Sequence, residues 1–129
     1  MDAILDILIV DDSDFTRERI KDQLKHLINT QVHCAYDVLS ALREIEVQPP
    51  DIIILDIKMP GGSGLDVLSR VRKSSDPPIV IIYTFYPYPQ FKTKAFDEGA
   101  DYFFDKATEF EKIPETLATI QRTLTRRQK

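Results

Sequence analysis

The sequence predicts an α/β fold, a doubly wound parallel sheet with helices on both faces. Short apolar runs alternate along the chain with longer segments in which apolar residues recur every three or four positions. The runs are rich in β-branched and aromatic residues and are apolar on both faces, which is typical of strands buried on both sides of a parallel sheet. Five such units, joined by right-handed crossovers, predict a three-layer sandwich.

Four segments are clearly predicted as strands, and the pattern of a fifth is weaker. The clear strands are residues 4–10, 52–56, 79–84 and 101–105, and the weaker one is 31–36. The run at 52–56, IIILD, is the most apolar in the chain. Asp56 ends this run, where an ionised carboxylate would be costly without a partner.

Five helices are predicted between and after the strands. They span residues 14–28, 38–47, 64–73, 90–99 and 109–125. Two of them begin with a capping-box pattern, Ser63 with Asp66 and Thr108 with Glu111. Asp37 stands where an N-cap belongs. These start signals agree with the apolar periodicity of the segments that they precede.

Length and composition narrow the class of protein. The 129 residues suit one domain, 1–129, with ordinary apolar (43%) and charged (29%) fractions. A net charge of −4 argues against a nucleic-acid surface over the whole chain. The single cysteine, Cys34, excludes an internal disulfide and a cysteine metal cluster. No apolar run reaches the roughly 18 residues of a membrane span. We expect a cytoplasmic protein that binds neither membrane nor, directly, nucleic acid.

Charged and hydroxyl side chains stand at the carboxyl ends of the predicted strands. Asp11 and Asp12 follow the first strand, and Asp56 ends the third. Thr84 ends the fourth strand, and Lys106 follows the fifth. Ligands of open α/β sheets bind at this edge. An aspartate after a strand is often only a turn or cap residue, and Asp12 could cap the first helix. Because all five side chains share one edge, we favour a common site.

The three carboxylates predict a divalent cation site. Carboxylates that lie close together repel one another, and a cation relieves the repulsion. An oxygen-only set of ligands favours Mg²⁺. A cation held by carboxylates beside a lysine and a hydroxyl is typical of phosphoryl transfer. One carboxylate could then act as the nucleophile and form an aspartyl phosphate.

These residues resemble the receiver domain of two-component response regulators. Residues 7–13, ILIVDDS, resemble its acidic strand end, and residues 53–64 match its Asp-x-x-Met-Pro-x-x-x-Gly segment. Residues 81–84, IIYT, and 98–106, EGADYFFDK, follow in the family's order. The resemblance covers essentially the whole chain. It implies a stand-alone receiver of flavodoxin-like architecture, with five parallel strands in the order 2-1-3-4-5.

The resemblance implies a role for each matching position at the strand ends. Asp56 would be the phosphoacceptor, and Lys106 would pair with the phosphoryl oxygens. Asp12 would bind Mg²⁺ directly and Asp11 through water. Asp56 and the backbone carbonyl of Lys58 would complete the protein ligands of the metal.

The resemblance also implies a switch. Thr84 would move in to hydrogen-bond the phosphoryl group, and Phe103 would turn inward with it. The face made by the fourth helix, fifth strand and fifth helix would report the change. The implied function is phosphorelay signal transduction, with a sensor histidine kinase or phosphotransfer protein as donor. The face would bind a downstream protein that the sequence does not name, or form a homodimer.

Two positions depart from the family pattern. Ala107 stands where a proline in a cis peptide is usual. A cis bond to another residue costs about 2.5–4 kcal/mol, so we predict a trans peptide with Lys106 still reaching the site. Phe85 stands after the switch threonine, where a small residue is usual. We expect its ring to narrow access to Asp56 and to restrain Thr84 or slow the hydrolytic water.

Two other functions stay open. One is a receiver fold that acts as a binding module without phosphorylation; the intact set of five side chains argues against it, and Phe85 and Ala107 keep it open. An aspartyl-phosphate hydrolase typically needs a second carboxylate two residues after its nucleophile, where Lys58 stands. We therefore expect no enzyme, only Mg²⁺-dependent self-phosphorylation and autodephosphorylation. No DNA-binding domain follows residue 127 in this sequence, so we expect the signal to be passed on through protein contact.

Overall fold

Five parallel strands form the centre of the molecule. The computed structural model describes residues 4–127, with side chains to residue 124. The strands are β1 (Leu5–Val10), β2 (Thr30–Ala35), β3 (Ile52–Leu55), β4 (Ile79–Thr84) and β5 (Tyr102–Asp105). The helices are α1 (Asp14–Leu24), α2 (Val38–Val47), α3 (Gly64–Arg72), α4 (Pro89–Asp97) and α5 (Lys112–Arg127). Every strand is therefore followed by a helix, as the sequence predicts.

The strands pair in the order β2-β1-β3-β4-β5, and all neighbours are parallel. In register, Val10 of β1 lies beside Leu55 of β3, and Thr84 of β4 lies beside Asp105 of β5. The predicted α/β fold, the three layers and the strand order are confirmed. The carboxyl ends of the strands meet at one edge of the sheet.

Two apolar clusters hold the three layers together, one on each face of the sheet. On one face, Leu8 and Ile53 pack under α2, α3 and α4. On the other face, Ile7 and Ile54 pack under α1 and α5. Successive strand residues point to opposite faces, so a strand that is apolar throughout supplies both clusters. Each isoleucine buried in this way contributes roughly 1.5–3 kcal/mol.

Helix boundaries match the periodic segments closely, except at two ends. We predicted that the first helix reaches residue 28, but α1 ends at Leu24. Asn29 adopts a φ of 57°, and the chain turns there into β2. We also predicted that the last helix begins near residue 109, but α5 begins at Lys112. The Asp105 carbonyl accepts the N–H groups of Thr108 and Glu109, which holds the preceding residues in turns.

Two helix caps follow the sequence signals, and two do not. Asp37 caps α2 and forms a capping box with Ser40, and Ser63 does the same for α3 with Asp66. The N-cap of α1 is Ser13, whose hydroxyl accepts the Thr16 N–H at 3.2 Å, so the alternative that Asp12 caps this helix was wrong. Thr108 lies four residues before α5 and does not cap it.

A short hairpin links β3 to α3. Residues Lys58–Met59 pair antiparallel with Gly62–Ser63, and Gly61 at the turn has a φ of 79°. Within residues 4–127, the helices are too short or too polar to span a bilayer.

Candidate functional site

The structure brings the five predicted side chains to the carboxyl edge of the sheet. Sheet hydrogen bonding continues one residue past the strands. The N–H of Asp11 donates to the Ala35 carbonyl, that of Asp56 to Val10, and that of Lys106 to Thr84. The backbones of Asp11, Asp56 and Lys106 are therefore as well fixed as the strands before them.

Most of this site is removed from solvent. The exposed fractions are 2% for Asp11, 6% for Asp56, 0% for Thr84 and 8% for Lys106. Asp12 is exposed. Charged side chains are almost never this buried unless they are paired, so the burial calls for a partner at each group.

Lys106 is the partner of both buried carboxylates. Its Nζ lies 2.5 Å from Asp11 Oδ2 and 2.9 Å from Asp56 Oδ2. Burial acts to lower the pKa of Lys106, but the hydrogen bonds and ion pairs with the two aspartates outweigh it, and the pKa is raised. The lysine is therefore an ammonium at neutral pH, with two of its three donors directed at carboxylates.

For the pKa of Asp56, burial outweighs the ion pair and the hydrogen bonds. Burial raises the pKa of its carboxyl group, and the charge of Asp11 adds to this effect, although Lys106 and the Thr84 hydroxyl oppose it. The carboxylate is held by the N–H of Ile57, which donates to Oδ1 at 2.8 Å. Oδ2 points at Lys106. The charged form of Asp56 is therefore short of stabilisation in this environment, and added positive charge would supply it.

The three aspartates could hold a metal ion. Asp11, Asp12 and Asp56 each offer a carboxylate oxygen, and these oxygens lie within 4.8 Å of one another. Asp11 Oδ1 accepts the N–H of Ser13 at 2.9 Å, which fixes its orientation. A set of hard oxygen donors with one member open to solvent fits a divalent cation of the Mg²⁺ type.

Thr84 Oγ1 accepts the N–H of Tyr86 at 3.1 Å. A hydroxyl has one proton to donate and two lone pairs that accept. Since the backbone N–H uses an acceptor position, the Thr84 proton remains available to a neighbour such as Asp56. The first residues of the β4–α4 loop are thus tied to the side chain of Thr84.

The site opens through a cleft of about 420 Å³ that is bordered by aromatic rings. Phe85 is 60% exposed, and its ring centroid lies 5.2 Å from Nζ of Lys106. Tyr86 also lines the cleft, and its ring centroid lies 4.3 Å from Nζ of Lys58. The ring of Phe85 stands at the rim of the cleft and does not close it.

The side chain of Lys58 and its partner Tyr86 were not predicted from the sequence, and only the backbone carbonyl of Lys58 was. Both residues stand two positions after a strand-end residue of the site, Asp56 and Thr84, and β3 and β4 are neighbours. That common spacing was the signal that could have placed the two side chains over the same cleft.

Phe103 and the peptide after Lys106 complete the set of predictions. Phe103 is 8% exposed, and its ring centroid lies 6.4 Å from that of Phe96 on α4. Phe103 is therefore buried against α4, and its movement with Thr84 stays a prediction. The peptide bond between Lys106 and Ala107 is trans, as predicted, and all other described peptide bonds are trans too.

The family model described as the response regulator receiver domain matches residues 7–118. The chain belongs to this family. The matched residues include β1 from Ile7 onward, the other four strands of the sheet in full, and every residue of the site. This receiver domain is therefore related to two-component response regulators, and its family is consistent with phosphorelay signalling.

Relatives of the receiver domain support the assignment. Sensory transduction protein LytT of Bacillus subtilis is 31% identical over 115 residues, 88% of this chain and 47% of that protein. A positive alginate biosynthesis regulatory protein of Pseudomonas aeruginosa is 34% identical over 120 residues, 92% of this chain and 48% of that protein. The chain thus spans about half the length of these curated relatives.

A solved structure shows the same fold. The response regulator domain of Thermotoga maritima CheB is 27% identical, with a TM-score of 0.80. The match covers 93% of this chain and 95% of that domain. The likeness therefore extends over nearly the whole receiver fold.

Proposed function

We propose that this receiver domain accepts a phosphoryl group on Asp56 from a histidine kinase or phosphotransfer protein, with Mg²⁺ as cofactor. One observation carries the proposal. The buried Asp56 carboxylate lies 2.9 Å from the Lys106 ammonium, beside two further carboxylates that could share a cation with it. This is an arrangement that neutralises charge around a nucleophilic carboxylate.

Asp56 supplies the nucleophile. Its oxygen forms the new P–O bond as the P–N bond of the donor's phosphohistidine breaks and the imidazole leaves. The N–H of Ile57 holds the other carboxylate oxygen, which orients Asp56 in the cleft. Transfer needs a carboxylate in line with the leaving group, and a side chain fixed in this way loses little further freedom on reaction.

Lys106 and Thr84 would donate hydrogen bonds to the phosphoryl oxygens. The ammonium of Lys106 already points at the oxygen of Asp56 that would carry the phosphoryl group. The hydroxyl proton of Thr84 is free to donate to a phosphoryl oxygen because the lone pair of Oγ1 accepts from Tyr86. Both groups therefore add positive charge where the phosphoryl group brings negative charge.

Asp11, Asp12, Asp56 and the carbonyl of Lys58 are the residues that would hold Mg²⁺. When bound, the ion would neutralise negative charge on the phosphoryl oxygens. Burial raises the pKa of Asp56, so added positive charge also favours the ionised carboxylate that the reaction needs.

The output would pass through the α4-β5-α5 face, the surface formed by those three elements. Phe96 of α4 is a large apolar side chain that stays 43% exposed, and Tyr88, the residue just before α4, stays 49% exposed. Phe103 packs against Phe96, so a movement of Thr84 and Phe103 would change the position of Phe96 at this surface. We propose a protein partner or a second copy of the chain there, in the cytoplasm and without direct contact to nucleic acid.

The decisive experiment is incubation with Mg²⁺ and acetyl phosphate, comparing the wild type with Asp56→Asn. We expect one phosphoryl group per chain, seen as a mass shift, that is absent in Asp56→Asn and in the presence of a chelator. Asp12→Asn is a second control, since it removes a cation ligand and leaves the nucleophile. Multiple turnover of phosphate esters would instead support a hydrolase. A wild type that stays unmodified would support a binding module.

A further inference from the structure

The loop that follows β5 carries Lys106 into the site. Lys106 has its N–H anchored on the Thr84 carbonyl at 2.9 Å and its ammonium at the two aspartates. The backbone next to it turns away at once, because residues 106–111 form the turns that precede α5. The orientation of the Lys106 side chain therefore depends on the hydrogen bonds that restrain this turn.

The side chain of Asp105 closes the turn. Its Oδ1 accepts the N–H of Ala107 at 2.8 Å, so the hydrogen bond spans Lys106 from one side to the other. This bond is possible because residue 107 has an N–H group, which a proline would lack. Carboxylate-to-backbone bonds of this length are charge-assisted and are stronger than neutral ones.

Glu109 braces the same turn from the other end. Its Oε1 accepts the N–H of Asp105 at 3.0 Å, while its own N–H donates to the Asp105 carbonyl at 2.8 Å. Asp105 is therefore held by both of its backbone groups and holds Ala107 with its side chain. The result is a fixed trans turn with Lys106 at its centre.

We propose that Asp105 is a positioning residue for Lys106. Its carboxylate restrains the Lys106–Ala107 backbone so that the ammonium meets Asp11 and Asp56 at the same time. This role rests on the proposed function, because the lysine matters to phosphorylation only if Asp56 accepts the phosphoryl group. The Asp105 carboxylate accepts the Ala107 N–H and is not a member of the acidic cluster of Asp11, Asp12 and Asp56.

Three variants separate positioning from charge and from general stability. Asp105→Ala removes the acceptor, and Asp105→Asn keeps an acceptor oxygen while removing the charge. Asp101→Ala is the matched control. Asp101 lies just before the same strand, and its carboxylate accepts the Val80 N–H at 2.9 Å, but it stands at the opposite end of β5 from Lys106.

We expect Asp105→Ala to lower the rate of phosphorylation by acetyl phosphate about tenfold, since small misplacements of a charge-neutralising group are costly. The Mg²⁺ dissociation constant, measured by tyrosine fluorescence, should stay within about twofold because the carboxylates do not move. Asp105→Asn should restore the rate, and Asp101→Ala should not change it. A rate in Asp105→Ala equal to the wild type would overturn the proposal, as would failure of Asp105→Asn to restore it.

A second readout does not depend on phosphorylation. The ammonium of Lys106 is buried and doubly paired, so an amine-reactive acylating reagent should label it slowly. We expect several-fold faster labelling of Lys106 in Asp105→Ala, and wild-type labelling in Asp105→Asn and Asp101→Ala. A wild type that acetyl phosphate does not phosphorylate would defeat the proposed function. Equal acylation of Lys106 in all variants would defeat the positioning role alone.

Discussion

Gly64, the first residue of α3, has no room for a side chain. A Cβ atom there would overlap the carbonyl oxygen of Asp56 and lie 2.9 Å from its carbonyl carbon. Both are backbone atoms of the proposed phosphoacceptor, so no side chain can rotate away to make space. We expect Gly64→Ala to destabilise the fold and to displace Asp56 together.

The magnitude follows from this close approach. Restoring a normal contact requires α3 or the end of β3 to move by roughly 1 Å, and overpacking of this kind costs about 1–3 kcal/mol. The movement also strains the 2.7 Å hydrogen bond from the Gly64 N–H to the Ile57 carbonyl, which contributes about 1 kcal/mol. We expect a total loss of about 3 kcal/mol, or a melting temperature lower by about 10 °C for a domain of this size.

The assay is urea unfolding followed by circular dichroism, with acetyl phosphate labelling of the folded protein. Gly61→Ala is the matched control. Its φ of 79° disfavours alanine by about 1–2 kcal/mol, but among the described residues no heavy atom lies within 4 Å of the added Cβ. Gly61→Ala should therefore lose some stability and keep its labelling. If Gly64→Ala stays within about 0.5 kcal/mol of the wild type and is labelled at the same rate, the steric reasoning is wrong.

Three further perturbations test the cleft. Phe85→Ala removes the ring at the rim, so we expect the phosphoryl group to be lost roughly threefold faster through easier access of water; unchanged phosphorylation and dephosphorylation rates would refute the gating role. Lys58→Ala removes the ammonium from the Tyr86 ring, a contact that contributes about 0.5–1 kcal/mol, and hydrogen exchange of the β4–α4 loop should rise; Tyr86→Phe, which keeps the ring, should leave that exchange unchanged. Asp56→Asn should stabilise the metal-free protein at neutral pH, because burial raises the pKa of Asp56 and its stability contribution is lost as pH rises through that pKa. Urea unfolding with chelator should show a gain that is small near about pH 4 and grows towards neutrality, and a gain that does not change with pH would contradict the linkage.

The strands could be predicted almost residue by residue, and the physical reason is burial. A strand covered on both faces must be apolar throughout, so β3 and β4 stand out from the polar segments around them. Helix ends are decided by backbone groups that compete for partners. Nothing in the periodicity reveals that Asn29 takes a left-handed conformation, or that the Asp105 carbonyl accepts two N–H groups.

The site could be predicted where it depends on topology alone. Parallel strands end at one edge, so Asp11, Asp56 and Lys106 had to lie near one another once the strands were assigned. The contact of Lys58 with Tyr86 depends on how two loops approach in space, and sequence spacing does not give that distance. The orientation of Phe85 was equally open, because a ring after a buried strand can point inward or lie at a rim.

The charge balance of the site explains why a divalent cation fits it better than further protein cations would. Three carboxylates face one ammonium, which leaves a net charge of −2 when all four side chains are ionised. A second lysine would leave the site negative, and it would also fill space that an incoming phosphoryl group needs. The ammonium of Lys58 lies over the Tyr86 ring at the cleft, where its charge is partly satisfied. The carboxylates therefore keep an excess of negative charge that a small divalent cation can neutralise. Until it is neutralised, this excess negative charge repels an anionic phosphodonor.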